Sequence, residues 1–178
     1  MESTGLHWLA QVAADPEDFR EQWERTGLGL VLLPAGRRWD VLAVPGPLGR
    51  GALDVLGGLH GGSCGPGVGP GPASATGSAS APAFGSGLGS GLGTGLGPVL
   101  ADFGDEHVSF LMPVGTAARW VGTGVRCAGE GTWIVVPHPG RSSRGVRWLV
   151  PPDGSGRLND PVLLELALHE AAAGLGGW

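Results

Sequence analysis

The chain of 178 residues has no lysine, no tyrosine, only two cysteines and no apolar run long enough to cross a bilayer. A spanning helix needs about 20 consecutive apolar residues, so the last absence predicts a protein that does not span a membrane. With lysine missing, all eleven basic residues are arginine, and the formal net charge is −5. That balance argues against a chain that coats nucleic acid non-specifically, because such binding rests on neutralising phosphates. Cys64 and Cys127 lie far apart with no CxxC pair, which excludes a cysteine-built zinc site and predicts two free thiols in a reducing compartment. The opening stretch "MESTGLHWLAQVAADPEDFREQ" carries an acid at its second position and many charges soon after its short apolar run, unlike a secretory signal. The expected location is cytoplasmic.

What is present is 36 glycines, 15 prolines and seven tryptophans in a length that fits one domain. Such a chain buries about two-thirds of its unfolded surface, enough for a sizeable core. The segment "DPEDFREQWERTG" is punctuated as a helix: Asp15 is the N-cap, Pro16 the first helical residue, and Gly27 the stop. Phe19 and Trp23, four apart, should face the core. "LGLVLLPAG" and "WDVLAVPG" read as two buried strands, and "PLGRGALDVLGGLH" as a helix with Leu48, Ala52, Val55, Leu56 and Leu59 on one side. Residues 61–97 then collapse to Gly, Ser, Ala, Pro and Thr, ending in "GSGLGSGLGTGLG". So few large side chains cannot offset the entropy of ordering, so this stretch reads as a disordered, flexible insertion. Beyond it come "PVLADF", "HVSFLMPV", a short helical "TAARWVG", "GVRCAG", "TWIVVP" and "VRWLVPP", then a helix from Asp160 and Pro161 through "VLLELALHEAAAG". The expected class is α+β: one curved antiparallel or mixed sheet with flanking helices. Residues 1–60 supply the N-terminal helices and a β-β-α part; residues 98–178 supply the rest of the sheet and the final helix of the same domain.

The order of these segments resembles the primase-polymerase (Prim-Pol) domain found at the N-terminus of bifunctional DNA primase/polymerases, in the archaeo-eukaryotic primase superfamily. Four stretches carry the resemblance between Asp15 and Pro152: "VLAVPGPLG" for a strand ending in two aspartates and Gly-Pro, "GDEHVSFLMP" for the Gly-x-x-His strand, "GVRCAGEGTWIVVPHP" for a Gly-hydrophobic-Asp segment and its following strand, and "VRWLVPP" for the closing Trp-bearing strand. The resemblance implies a site where three carboxylates hold divalent cations for nucleotidyl transfer, since Mg²⁺ and Mn²⁺ take hard oxygen ligands. In this chain the corresponding positions are Ala43, Pro45 and Arg126. Of the motif residues His107 is kept, and the resemblance gives it a phosphate contact.

Read without the resemblance, His107 alternates with Ser109 and Leu111 along a strand and suits a hydrogen-bonded structural role. Asp40, Asp102, Asp105 and Glu106 are the carboxylates from which a displaced metal site would be rebuilt. Asp40 should face away from Ala43, because strand side chains alternate. The Gly129 and Gly131 pair reads as a tight turn between strands. Arg119 to Arg157 holds six arginines against Glu130 and Asp153, and "PHPGRSSRGVRW" should place Arg141, Arg144 and Arg147 on a hairpin beside Trp148, a surface suited to phosphates and stacked bases. The expectation is therefore a catalytically degenerate Prim-Pol-like domain that binds nucleotide or single-stranded nucleic acid weakly through His107, Arg126, Arg141, Arg144 and Arg147. No cofactor is expected, and Mg²⁺ or Mn²⁺ only if displaced carboxylates restore a primase/polymerase. A protein-interaction module is the alternative, using the apolar final helix at Leu163, Leu164, Leu166, Ala167 and Leu168 or the leucines of the insertion.

Overall fold

The computed structural model describes residues 4–13, 15–25, 29–61, 95–122, 124–140, 143 and 145–176. Residues 62–94 of the expected insertion, Cys64, Arg141 and Arg144 lie outside the described residues.

Five strands form an antiparallel sheet in the order β5-β2-β4-β3-β7: β2 (Asp40–Pro45), β3 (Val99–Ala101), β4 (His107–Met112), β5 (Arg126–Ala128) and β7 (Arg147–Val150). Two further strands, β1 (Leu30–Pro34) and β6 (Trp133–Pro137), pair antiparallel as a separate ribbon. The α+β class stands, but the expected single sheet is two, with no parallel pair among the described strands. The alternation of β1 explains the split. Val31 and Leu33 bury one face while Leu32 is exposed, so β1 lays a half-apolar ribbon on the core and does not extend a sheet whose centre is buried on both sides.

Alternation along β2 and β4 separates two hydrophobic layers. Val41 and Leu111 join Leu100 on one face, packed with Trp39, the ribbon and two helices, α1 (Thr4–Ala10) and α2 (Pro16–Arg25). Leu42, Val44, Val108, Phe110 and Met112 line the other face beneath α3 (Gly46–Gly61) and α5 (Pro161–Gly174). The Asp15 carboxylate accepts the N–H groups of Glu17 and Asp18, and Phe19 stacks edge-on with Trp23 at 4.4 Å between centroids. Asp160 caps α5 in the same way through the N–H groups of Val162 and Leu163, with Pro161 in the first turn.

The Gly-Pro junction after β2 is no open turn: α3 begins at Gly46 directly. A Cβ on Gly46 would fall 1.9 Å from the Asp105 carbonyl oxygen, and the Gly46 N–H donates to the Glu106 carbonyl at 2.7 Å. Glycine here lets the helix start flush against the turn that precedes β4. The insertion also ends earlier than expected. Gly97 is buried, and its N–H donates to Oδ1 of the buried Asn159 at 3.0 Å, so residues 95–97 belong to the folded unit.

Candidate nucleotide-binding face

The end of β2 gathers the positions that the sequence singles out. In the strand register Ala43 stands opposite Arg126 of β5 on one side and Ser109 of β4 on the other, and Pro45 stands opposite His107. Cross-strand partners share a face, so Ala43, Pro45, His107, Ser109 and Arg126 form one surface continuous with Val41 and Leu111. Towards Val41 that surface is covered by the α1/α2 layer. Towards Pro45 it opens: Ala43, Pro45, His107 and Ser109 are half-buried and Arg126 is exposed.

His107 is held in place. Its Nδ1 lies 2.9 Å from Asp102 Oδ2, while its backbone N–H donates to Asp102 Oδ1 at 2.7 Å. Asp102 and His107 flank a short turn containing a 3-10 helix at Phe103–Asp105. The turn is tightened by the Asp105 N–H donating to the Asp102 carbonyl at 3.0 Å and the Asp102 N–H to the His107 carbonyl at 3.1 Å. Within it Asp105 adopts a left-handed backbone, φ 59°, a conformation that surroundings must enforce in a non-glycine residue. Arg50 of α3 and Arg147 of β7 both grip the Asp105 carboxylate, Arg50 at 2.9 Å and Arg147 through Nε and Nη2 at 3.2 and 2.5 Å. With Nδ1 turned to Asp102, the imidazole presents Nε2 to a ligand, as a positioned donor or acceptor.

The four carboxylates do not converge. Asp40 is buried on the opposite face of β2, where Oδ2 accepts the Ala117 N–H at 2.8 Å at the start of α4 (Thr116–Arg119). Asp102 serves His107, Asp105 serves two arginines, and Glu106 points to solvent. Among the described residues no three His, Cys, Asp or Glu side chains stand close enough to hold a metal ion. The residues present at the end of β2 therefore do not fit a two-cation site; they fit an anion, with the exposed Arg126 guanidinium as its cationic donor.

β6 and β7 are not paired with each other as the two arms of a hairpin, because they belong to different sheets. β7 pairs with β3, and the Trp148 indole N–H donates to the Pro137 carbonyl at 2.9 Å, so the half-buried Trp148 ties the ribbon to the sheet. Arg147 is committed to Asp105. Gly129 and Gly131 do make the tight turn, with Gly131 at φ 83° and the Thr132 N–H donating to the Gly129 carbonyl at 3.1 Å. Cys127 is a free cysteine. Partial burial first, and the neighbouring Asp40 charge second, raise its pKa, which keeps the thiol protonated and a poor nucleophile near neutral pH.

Two features were not singled out in the sequence. One is the Asp102–His107 pair, whose only signal is an Asp and a His five apart across a glycine-containing turn. The other is a cavity of about 850 Å³ between α5, the start of α3 and the 120–125 loop, lined by Leu48, Trp120, Val121, Val125, Leu168 and His169 among others. Compared with models of protein families, with curated proteins and with solved structures, the chain matches none. No helix among the described residues is long and apolar enough to cross a membrane.

Proposed function

We propose that this is a primase-polymerase-like domain without catalytic carboxylates, whose open sheet face binds the phosphate of a nucleotide or of single-stranded nucleic acid. The observation that carries the reading is the register: Arg126 stands across from Ala43 and the Asp102-held His107 across from Pro45, on one uncovered surface. A guanidinium offers two parallel donors to a phosphate and needs no metal to do so. Where a metal-dependent enzyme would neutralise the phosphates with cations, Arg126 supplies fixed positive charge at the same place.

Anisotropy of a fluorescent nucleoside triphosphate at low salt tests this. Arg126→Ala should weaken binding by about tenfold or more, the worth of one charge-assisted hydrogen bond to an anion. Arg157→Ala, on the exposed segment between β7 and α5, should leave it unchanged; equal effects from the two would sink the reading. Primer extension with Mg²⁺ or Mn²⁺ should be absent, and extension abolished by Asp102→Ala or Asp105→Ala would establish the displaced-carboxylate enzyme in its place.

A second reading rests on the cavity beside α5. Val121 at its rim is 96% exposed, and Val162 and Leu166 on the outer side of α5 are exposed too, as a protein-interaction surface would require. Substitution of Leu166 or Val121 by Asp should leave nucleotide binding intact and abolish partner binding if this reading holds.

A further inference from the structure

The ribbon's outer face is unusual. Leu32 stands opposite Val135 and Pro34 opposite Trp133, and Leu32, Val135 and Trp133 are all exposed, Trp133 by 64%. Large aromatic surface is rarely left in water without a use. Where the chain turns from β1 to β2, Arg37 and Arg38 are both exposed, next to the Trp133 end of the ribbon. The turn is rigid: the Gly36 N–H donates to the Trp39 carbonyl at 2.8 Å, and the Ala35 N–H to the Thr132 carbonyl at 2.9 Å. Trp39 itself is fully buried against Trp8, anchoring the two arginines from below. Neither arginine has an ion-pair partner among the described residues. Two acids adjoin the turn: Asp40, which is buried at the start of β2 and turned to the Ala117 N–H, and Glu130, whose N and Cα a Cβ on Gly36 would meet. Glu130 is the exposed one, so the exposed tip carries two cations against one acid.

We infer that the outer face of the ribbon is a docking surface for single-stranded nucleic acid, with Trp133 as a stacking platform for one base and Arg37 and Arg38 as contacts to the adjoining phosphates. Charge and chemistry select this occupant: an exposed aromatic on a stiff antiparallel ribbon flanked by guanidinium groups offers every base a π-face and the backbone two cations. The inference rests on the nucleotide-binding reading of the β2 face and extends it. Arg126 begins β5 in the five-stranded sheet and Trp133 begins β6 in the separate ribbon, beyond the Gly129–Thr132 turn, so the two sites are tested as separate positions.

Anisotropy of a labelled oligothymidylate and of a mononucleotide, each titrated with the full chain over a range of salt, separates the two. For the oligonucleotide, Trp133→Ala should weaken binding by about tenfold, as the loss of one base–aromatic stack does, while Trp133→Phe keeps most of it. Arg37→Ala with Arg38→Ala should reduce the slope of log affinity against log salt by about 1.4, at roughly 0.7 per phosphate on a single strand. Mononucleotide binding should be untouched by all three. Oligonucleotide binding that depends on Trp133 with no mononucleotide binding would remove the Arg126 site and leave this inference standing. An oligonucleotide affinity unchanged in Trp133→Ala would overturn it. So would no oligonucleotide binding at low salt, including the case where the protein instead sediments with vesicles of anionic phospholipid through Trp133.

Discussion

Asn159→Ala is expected to destabilise the domain by about 2 to 4 kcal/mol, because it removes three buried hydrogen bonds and strands the Gly97 N–H. The Asn159 side chain is buried; Oδ1 accepts the Gly97 N–H at 3.0 Å, and Nδ2 donates to the carbonyls of Pro98 at 3.1 Å and Leu111 at 3.0 Å. Its backbone N–H also reaches the Leu111 carbonyl, and the Leu111 N–H donates to the Pro98 carbonyl at 3.1 Å, so both carbonyls keep a partner in the variant while the Gly97 N–H loses its own. One amide thus ties the return of the chain at residue 97 to the end of central strand β4 and to the start of α5. For a domain of this size about 2 to 4 °C of melting temperature accompanies each kcal/mol, so the melt should fall by roughly 10 °C. Asn159→Asp keeps the acceptor but sets a carboxylate against two carbonyls; its folded pKa should lie above the unfolded value, so its stability should be highest in acid and fall as pH rises. A thermal melt of Asn159→Ala within about 3 °C of wild type would mean that water replaces the amide.

Phe110→Ala should cost about 3 to 5 kcal/mol as well, by creating a cavity. Phe110 is fully buried in the centre of the five-stranded sheet, with Leu42 opposite on β2, Val99 opposite on β3, and α3 and α5 above it. The neighbours that would have to collapse into the gap are held by ladders on both sides, so little relaxation is available. Domains are stable by only about 5 to 15 kcal/mol, and loss on this scale should appear as a population of unfolded chain near body temperature. Phe110→Leu, which keeps most of the volume, should cost about 1 kcal/mol. Equal urea midpoints for the alanine and leucine variants would show that packing at this position is loose.

The helices with their own punctuation were legible residue by residue. Asp15 with Pro16 and Asp160 with Pro161 both act as written, because an N-cap is a local arrangement of one side chain and the next turn's N–H groups. The apolar strands were legible as strands. Their partners were not: β1 and β2 are neighbours in sequence but lie in different sheets, and β6 and β7 likewise. The candidate site was legible as four positions, Ala43, Pro45, His107 and Arg126, and the register brings them to one face. Arg147 was legible as a basic residue, but its engagement with Asp105 depends on a left-handed turn 42 positions away in the chain.

Composition and local pattern by themselves determined the α+β class, the capped helices α2 and α5, the apolar strands and the alternation that sets Asp40 on the far side from Ala43. These depend on side-chain type and on the period of the backbone, which neighbours in sequence fix. Tertiary structure alone decided the rest. α1 forms where Gly5 passes so close to Pro152 that a Cβ would lie 2.2 Å from its carbonyl oxygen, and where the Thr4 hydroxyl donates to the Asp153 carbonyl. Asp40 became the cap of a helix 77 positions on, Asp102 the partner of His107, and Trp148 a tie between two sheets. The buried Asp40 carboxylate and the half-buried Trp148 indole needed partners that their own neighbours in sequence could not supply, and only the packed arrangement of distant segments determined which ones they met.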